Sequence, residues 1–179
     1  MPIEKGKVIE AIFVRRKKTK SGTMKFYLYD ENDNSLFLSS DVNSTVSLSS
    51  NDFNRDGMFF CGTFVKDDNN SYGYSHHHNL EANIQKKSVN IEDTYFEVST
   101  ITLRDGQILH QKVPKRISGT WVLSFPRIGQ ESIKNLILLS DEENTSLVFE
   151  KIHEDEFYMS ICYPLSIFQA FCIALSRMY

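Results

Sequence analysis

The C-terminal stretch Tyr163 to Met178, YPLSIFQAFCIALSRM, limits the architecture more than any other part of the chain. It reads as a helix that is apolar on nearly every face. A surface helix keeps a broad polar face, so one that is hydrophobic all round must be surrounded by protein or lipid. About sixteen residues rise only ~24 Å, short of the roughly 20 apolar residues a bilayer requires. Ser166, Gln169 and Ser176 interrupt it, and Arg177 closes it. Pro164 suits its first turn, and Ser176, Arg177 and Tyr179 suggest fraying at the end. Nearly everything upstream reads as short strands, so the expected arrangement is a helix enclosed by the sheet that precedes it.

The chain has 179 residues, enough for one domain with a sizeable core, and residues 1–179 are expected to form it. A formal net charge of -3 gives no overall bias toward nucleic acid or anionic membrane. Any such affinity must come from local clustering. Cys61, Cys162 and Cys172 are odd in number and lack metal-ligand spacing, and no charged-then-apolar leader follows Met1. Reduced thiols in a cytoplasmic protein are expected.

Strand-like runs recur with turn chemistry between them. Val8 to Val14 precedes a basic loop, Arg15 to Gly22. Lys25 to Tyr29 and Ser35 to Leu38 flank the polar turn Asp30 to Asn34. Thr45 to Leu48 and Met58 to Val65 follow, and Lys66 to Asn79 reads as loop. Tyr95 to Leu103 and Gln107 to Gln111 form a hairpin. Trp121 to Phe125, Ile133 to Leu139, Ser146 to Ile152 and Phe157 to Ile161 complete the set. Many short antiparallel strands suggest a sandwich or barrel, and closure removes exposed edges. The rival is a helix packed across an open sheet.

Several segments carry a family resemblance. LHQKVP (Leu109 to Pro114), WVLSFPRIGQESIKNLIL (Trp121 to Leu138) and EDEFYMSICYPLSIFQAFCIALS (Glu154 to Ser176) resemble the C-terminal half of the tubby domain. The Tyr-Pro-Leu, Gln-Ala-Phe and Ala-Leu-Ser elements are specific to it. NDFNRDGMFFCGTF (Asn51 to Phe64) and VIEAIFVRRKKTKSGTMKFYLYD (Val8 to Asp30) are similar to upstream parts of the domain. The resemblance is weakest over Lys66 to Gln107. It implies a mainly β (α+β) fold: a closed antiparallel barrel of about a dozen strands enclosing the C-terminal helix. It also implies a non-enzymatic module without cofactor, a monomer, that binds anionic phospholipid such as phosphatidylinositol 4,5-bisphosphate at the cytoplasmic face of the plasma membrane. Links to signalling, transcription regulation and the nucleus follow from the same resemblance. The phospholipid scramblases share the architecture but carry Cys- and Pro-rich N-terminal segments not seen here.

Lipid headgroup recognition needs converging cations. Arg15, Arg16, Lys17, Lys18 and Lys20 form the densest basic run, and the resemblance adds Lys66. Tubby domains carry a second basic cluster after the strand matching Leu36 to Leu38. Here that position reads Ser40-Asp41-Val42-Asn43. This departure keeps an alternative open: an interaction scaffold, with a protein partner, that kept the fold and lost the phosphoinositide pocket. Lys86-Lys87, Lys112 and Lys115-Arg116 would extend a basic surface if they folded beside the first loop. His76-His77-His78 is adjacent rather than spaced as structural zinc ligands are, so a polar loop is expected there. The acidic runs Asp141 to Glu143 and Glu154 to Glu156 fall at expected turns without a nucleophile–base pair. No nucleic-acid motif stands out.

Overall fold

The computed structural model describes residues 1–17, 23–41 and 44–179. Among the described residues, fourteen strands precede one helix. They are β1 (Val8–Lys17), β2 (Met24–Asp30), β3 (Leu36–Ser40), β4 (Thr45–Ser47), β5 (Phe60–Asp67), β6 (Asn70–Ser75) and β7 (Leu80–Ile91). They continue with β8 (Thr94–Leu103), β9 (Ile108–Gln111), β10 (Lys115–Ile117), β11 (Thr120–Val122), β12 (Leu136–Leu139), β13 (Thr145–His153) and β14 (Glu156–Cys162). The helix α1 spans Ile167–Met178. Twelve strands close into an antiparallel barrel in the order β1-β14-β13-β12-β9-β8-β7-β6-β5-β4-β3-β2, and β10 and β11 form a separate ribbon. β1 closes the cylinder, pairing with both β14 and β2.

Period-2 alternation sets the inner wall. Ala11 and Phe13 of β1, Phe26 and Leu28 of β2, Leu147 and Phe149 of β13, and Phe157, Met159 and Ile161 of β14 are all buried. A cylinder of a dozen strands is too wide for strand side chains to fill by themselves, and α1 occupies the lumen. Every residue from Gln169 to Arg177 is buried. Phe13 ties helix to wall, its ring 5.7 Å from Phe171 and 5.7 Å from Phe149. No helix among the described residues is long and apolar enough to cross a membrane.

The helix begins three residues after Pro164 rather than on it. Ser166 is the N-cap: its Oγ accepts from Gln169 N–H at 3.2 Å, and Gln169 Oε1 accepts from Ser166 N–H at 2.9 Å. This reciprocal pair satisfies two end donors, a stronger start signal than a proline. At the other end Ser176 and Arg177 remain helical and buried instead of fraying, because partners from the wall engage them.

Four further readings change. Lys66 to Asn79 is not a loop, since β5 continues to Asp67 and β6 follows. The inward residues of β6 are Ser71 and Gly73, too small to mark a strand by hydrophobicity. They are small because the helix lies against them: a Cβ on Gly73 would sit 2.7 Å from Cys172 Sγ. β7, with Ala82 and Ile84 facing inward, was also missed. Arg15 to Lys17 continue strand β1 rather than opening the loop. The expected strands Trp121 to Phe125 and Ile133 to Leu139 shorten to Thr120–Val122, in the small ribbon, and Leu136–Leu139.

Candidate functional site: the basic mouth of the barrel

The carboxyl end of α1 marks one mouth of the barrel. β1, β5, β7 and β13 run toward it, and β2, β6, β8 and β14 start from it. That polarity brings the end of β1 to the same rim as the ends of β5 and β7 and the His153–Glu156 turn. Arg15 is fixed there: its Nε donates to Asp155 Oδ1 at 2.7 Å, and its backbone N–H donates to Asp155 O at 2.8 Å. Arg16, one residue on, faces outward and stacks over Tyr27 and Tyr29, 5.5 and 6.0 Å from their ring centres. Its neighbour across the strands is Lys25, whose ammonium lies 4.7 Å from the Phe53 ring centre. Lys17 ends the strand, exposed, opposite Met24. Lys18 and Lys20 lie outside the described residues. Lys66 is exposed on β5, opposite Ser71.

Three further cations complete this rim: Lys86, whose part in a basic surface was conditional on the fold, and Lys134 and Arg177, which the sequence did not assign. Lys86 reaches over the wall and its Nζ donates to Ser176 O at 2.8 Å, placing positive charge on the helix carboxyl end, where the macrodipole favours it. Arg177 donates from Nε to Lys134 O at 3.2 Å and from Nη1 to Ser99 Oγ at 3.4 Å. Lys134 sits beside it. Burial pushes the Lys86 ammonium below its ordinary value, the Arg177 charge adds to that, Glu97 opposes it, and Lys66 and Lys134 push further down. Burial likewise lowers Lys134, with Arg15 and Arg177 adding to it, Asp155 opposing, and Lys151 adding again. Cations from six parts of the chain therefore converge on one mouth. The sequence flagged Lys86-Lys87 as basic, but only strand pairing could bring Lys86 to Lys66 and the helix end.

The remaining basic candidates go elsewhere. Arg116 pairs with Glu92 at 3.4 Å on the β10–β11 ribbon. At the position of the second basic cluster, Asp41 Oδ1 accepts from Thr45 N–H at 2.9 Å and holds the turn together. His76 to His78 form the β6–β7 turn, with His78 at φ 57. Among the described residues no group of three or more His, Cys, Asp and Glu side chains is placed to hold a metal.

A closed twelve-stranded antiparallel barrel enclosing its own C-terminal helix is the tubby architecture. A model of the Tub family matches residues 65–179, more than half of the chain, and the chain belongs to that family. It is similar to Tubby-related protein 1 of Mus musculus, 40% identical over 73 residues, covering 38% of this chain and 13% of that protein. Protein king tubby of Anopheles gambiae is 42% identical over 73 residues, 38% of this chain and 16% of its own length. Tubby-related protein 2 of Homo sapiens is 35% identical over 74 residues, 38% of this chain and 14% of its own length. Each match thus spans less than a fifth of the relative's length.

Proposed function

We propose that this chain is a non-catalytic tubby-family module that docks on anionic phospholipid through the basic mouth. The observation that supports this best is the convergence of Lys66, Lys86, Lys134 and Arg177 on one mouth, where burial and then the other three charges disfavour the Lys86 ammonium and an anionic surface would favour it. Lys17 stands exposed at the same rim, where each cation near an anionic leaflet adds about 1 kcal/mol. Arg16 and Lys25 border it on the outer face. Arg15 is a structural cation, spent on Asp155. The cytoplasmic face of the plasma membrane is the setting in which such a mouth meets phosphoinositides.

A second reading, a protein-interaction scaffold, draws on Asp41, which stands where tubby domains carry their second basic cluster and is engaged by Thr45 N–H. Liposome flotation separates the two. Vesicles of phosphatidylcholine are compared with vesicles containing phosphatidylserine or phosphatidylinositol 4,5-bisphosphate, at low and at physiological salt. Docking through the mouth predicts flotation with anionic vesicles that falls with salt and is lost in the quadruple variant Lys17→Glu, Lys18→Glu, Lys20→Glu, Lys66→Glu. Selectivity for the bisphosphate at physiological salt would indicate a pocket rather than a charged surface. Equal flotation of the variant and the parent would sink the lipid reading, and absence of flotation would leave the scaffold.

A further inference from the structure

The barrel wall has a notch on the side of β9 and β12. Each of these strands has 4 residues, whereas β8 has 10 and β13 has 9. β9 pairs with β8 only across Thr100, Ile101 and Thr102, and β12 meets β13 only from Leu136 onward. Between Gln111 and Leu136 the chain leaves the wall, forms the β10–β11 ribbon and returns. The space left open is a cleft of about 1040 Å³, lined by Tyr95, Phe96, Glu97 and Val98 of β8 together with Trp121 and Glu150.

Successive residues of a strand point to opposite faces. A cleft touched by four consecutive residues of β8 therefore lies against that strand's edge. The Gln111 side chain takes the first backbone position of the edge. Its Oε1 accepts from Ser99 N–H at 2.9 Å and its Nε2 donates to Glu97 C=O at 3.5 Å. In an antiparallel ladder alternate residues direct their backbone groups to the same neighbour. The N–H of Glu97 and the backbone of Tyr95 therefore face the cleft beyond the glutamine. Among the described residues, no strand pairs with β8 there. Such an edge is a template for another strand.

Glu150 is the second, independent feature. The residue is 3% exposed, Gly129 N–H donates to its Oε1 at 2.9 Å, and its Oε2 has no hydrogen-bond partner. A Cβ on Gly129 would fall 2.5 Å from Glu150 Oε1 and 2.6 Å from Lys151 O, so only glycine lets the chain press onto this carboxyl. An unpaired buried oxygen of this kind is costly unless something completes it. The two arginines on the cleft are already engaged. Arg127 donates to Glu31 at 2.8 Å and lies 3.9 Å over the Tyr158 ring, and Arg177 is held by Ser99 and two backbone carbonyls. Glu131 adds further negative charge to the lining. What the cleft offers is therefore hydrogen-bond acceptance, an apolar wall at Phe96 and Trp121, and a free strand edge.

We propose that this notch takes an extended segment of a partner polypeptide as an added strand on β8, with a lysine or arginine of that segment closing onto Glu150. Backbone pairing supplies affinity, and the buried carboxylate selects the basic side chain. An anionic ligand would find no spare cation in this cleft, and a wholly apolar one would leave Glu150 unpaired. The notch borders the basic rim through Glu97 and Arg177, and its occupation requires no bound lipid.

A positional-scanning library of extended heptapeptides tests this by fluorescence polarisation, with lysine, norleucine or glutamate fixed at the centre. The lysine pools are expected to bind at least ten-fold more tightly than the norleucine pools, with glutamate weakest. Glu150→Gln should reduce the lysine preference to below three-fold. Methylating alternate backbone nitrogens of the best lysine peptide should abolish its binding to the unaltered protein, and the unmethylated peptide should protect the amides of Tyr95 and Glu97 from hydrogen exchange. No preference for lysine, or binding that survives N-methylation in both registers, would overturn the proposal. The N-methyl and exchange measurements use the natural sequence, so they decide the matter even if Glu150→Gln folds poorly.

Discussion

Gly73→Ala tests the enclosed helix at its tightest point. An ideal Cβ at residue 73 would lie 2.7 Å from Cys172 Sγ, 3.1 Å from Cys172 Cβ and 3.6 Å from a Phe168 ring carbon. Ordinary carbon contacts are about 3.5–4.0 Å, so the sulfur must move by close to an ångström. Cys172 is fully buried, with 0% exposure, so the displaced sulfur must move against packed neighbours. Overpacking of this kind costs about 1–3 kcal/mol, and the upper half of that range is expected for Gly73→Ala. Cys172→Ala removes the clashing atom but leaves a small void, at about 1 kcal/mol by the scale of one buried methylene. In the double variant the new methyl occupies the space the sulfur left, and only the 3.1 Å approach to the Cβ remains. Its total cost should therefore fall below the sum of the single changes by at least about 1 kcal/mol, within the range for residues in contact. Urea unfolding followed by circular dichroism gives all four stabilities. Strict additivity would show that residue 73 does not face Cys172, and the helix would then lie in a different rotation or outside the barrel.

Two further outcomes follow from burial. Phe171→Asp puts a charge where a fully buried ring meets Phe13; it should abolish soluble folding, and a soluble variant with the parent's circular dichroism would refute enclosure. Glu150 gives a pH dependence: burial raises its carboxyl above the ordinary 4.5, opposed by the Gly129 N–H hydrogen bond, by the nearby Arg127 backbone and by the Arg127 charge. A folded pKa above the unfolded one adds stability that is full below the unfolded value and is lost as pH rises through the folded value. Urea midpoints of the parent should thus decline from about pH 4.5 upward relative to Glu150→Gln, and parallel profiles would contradict the buried-carboxyl assignment.

The helix and the strands that face it were readable because burial writes itself into them as apolar residues. Phe13, Phe149, Phe157 and Phe171 are each flagged by the pattern around them. β6 was unreadable for the opposite reason: closeness to the helix selects Ser71 and Gly73, and small residues resemble a turn. β7 fails similarly, because past Ala82 and Ile84 it projects beyond the lumen and carries polar residues on both faces. The rim was half legible. A run such as Arg15 to Lys17 is visible as charge density and Lys86-Lys87 as a basic pair, but Lys66 enters only through the family resemblance, Lys134 and Arg177 are unremarkable in sequence, and the four meet only through barrel closure. Arg15 shows the limit of reading charge alone, since its partner Asp155 lies 140 residues away.

The two surfaces arise from one geometric cause. A barrel wide enough for a helix need not have strands of equal length, and where β9 and β12 stop early their neighbours overhang. On the β7–β8 side the overhang brings Lys86 back over the helix end; on the open side it leaves the backbone of Tyr95 and Glu97 without a partner strand. Glu97 stands between these features, 3.9 Å from Lys86 and 3.7 Å from Arg177. It partly neutralises the rim while its backbone faces the notch. A strand added to β8 would hold this carboxylate in place beside the two cations, and an anionic surface would compete with it for them. Occupation of the notch should therefore weaken docking at the mouth. Reciprocity requires that lipid weaken the bound strand by the same factor. Flotation with and without saturating lysine-centred peptide measures the coupling: a factor of one would mean that Glu97 does not link the sites, and tighter flotation with peptide bound would reverse the sign of the argument.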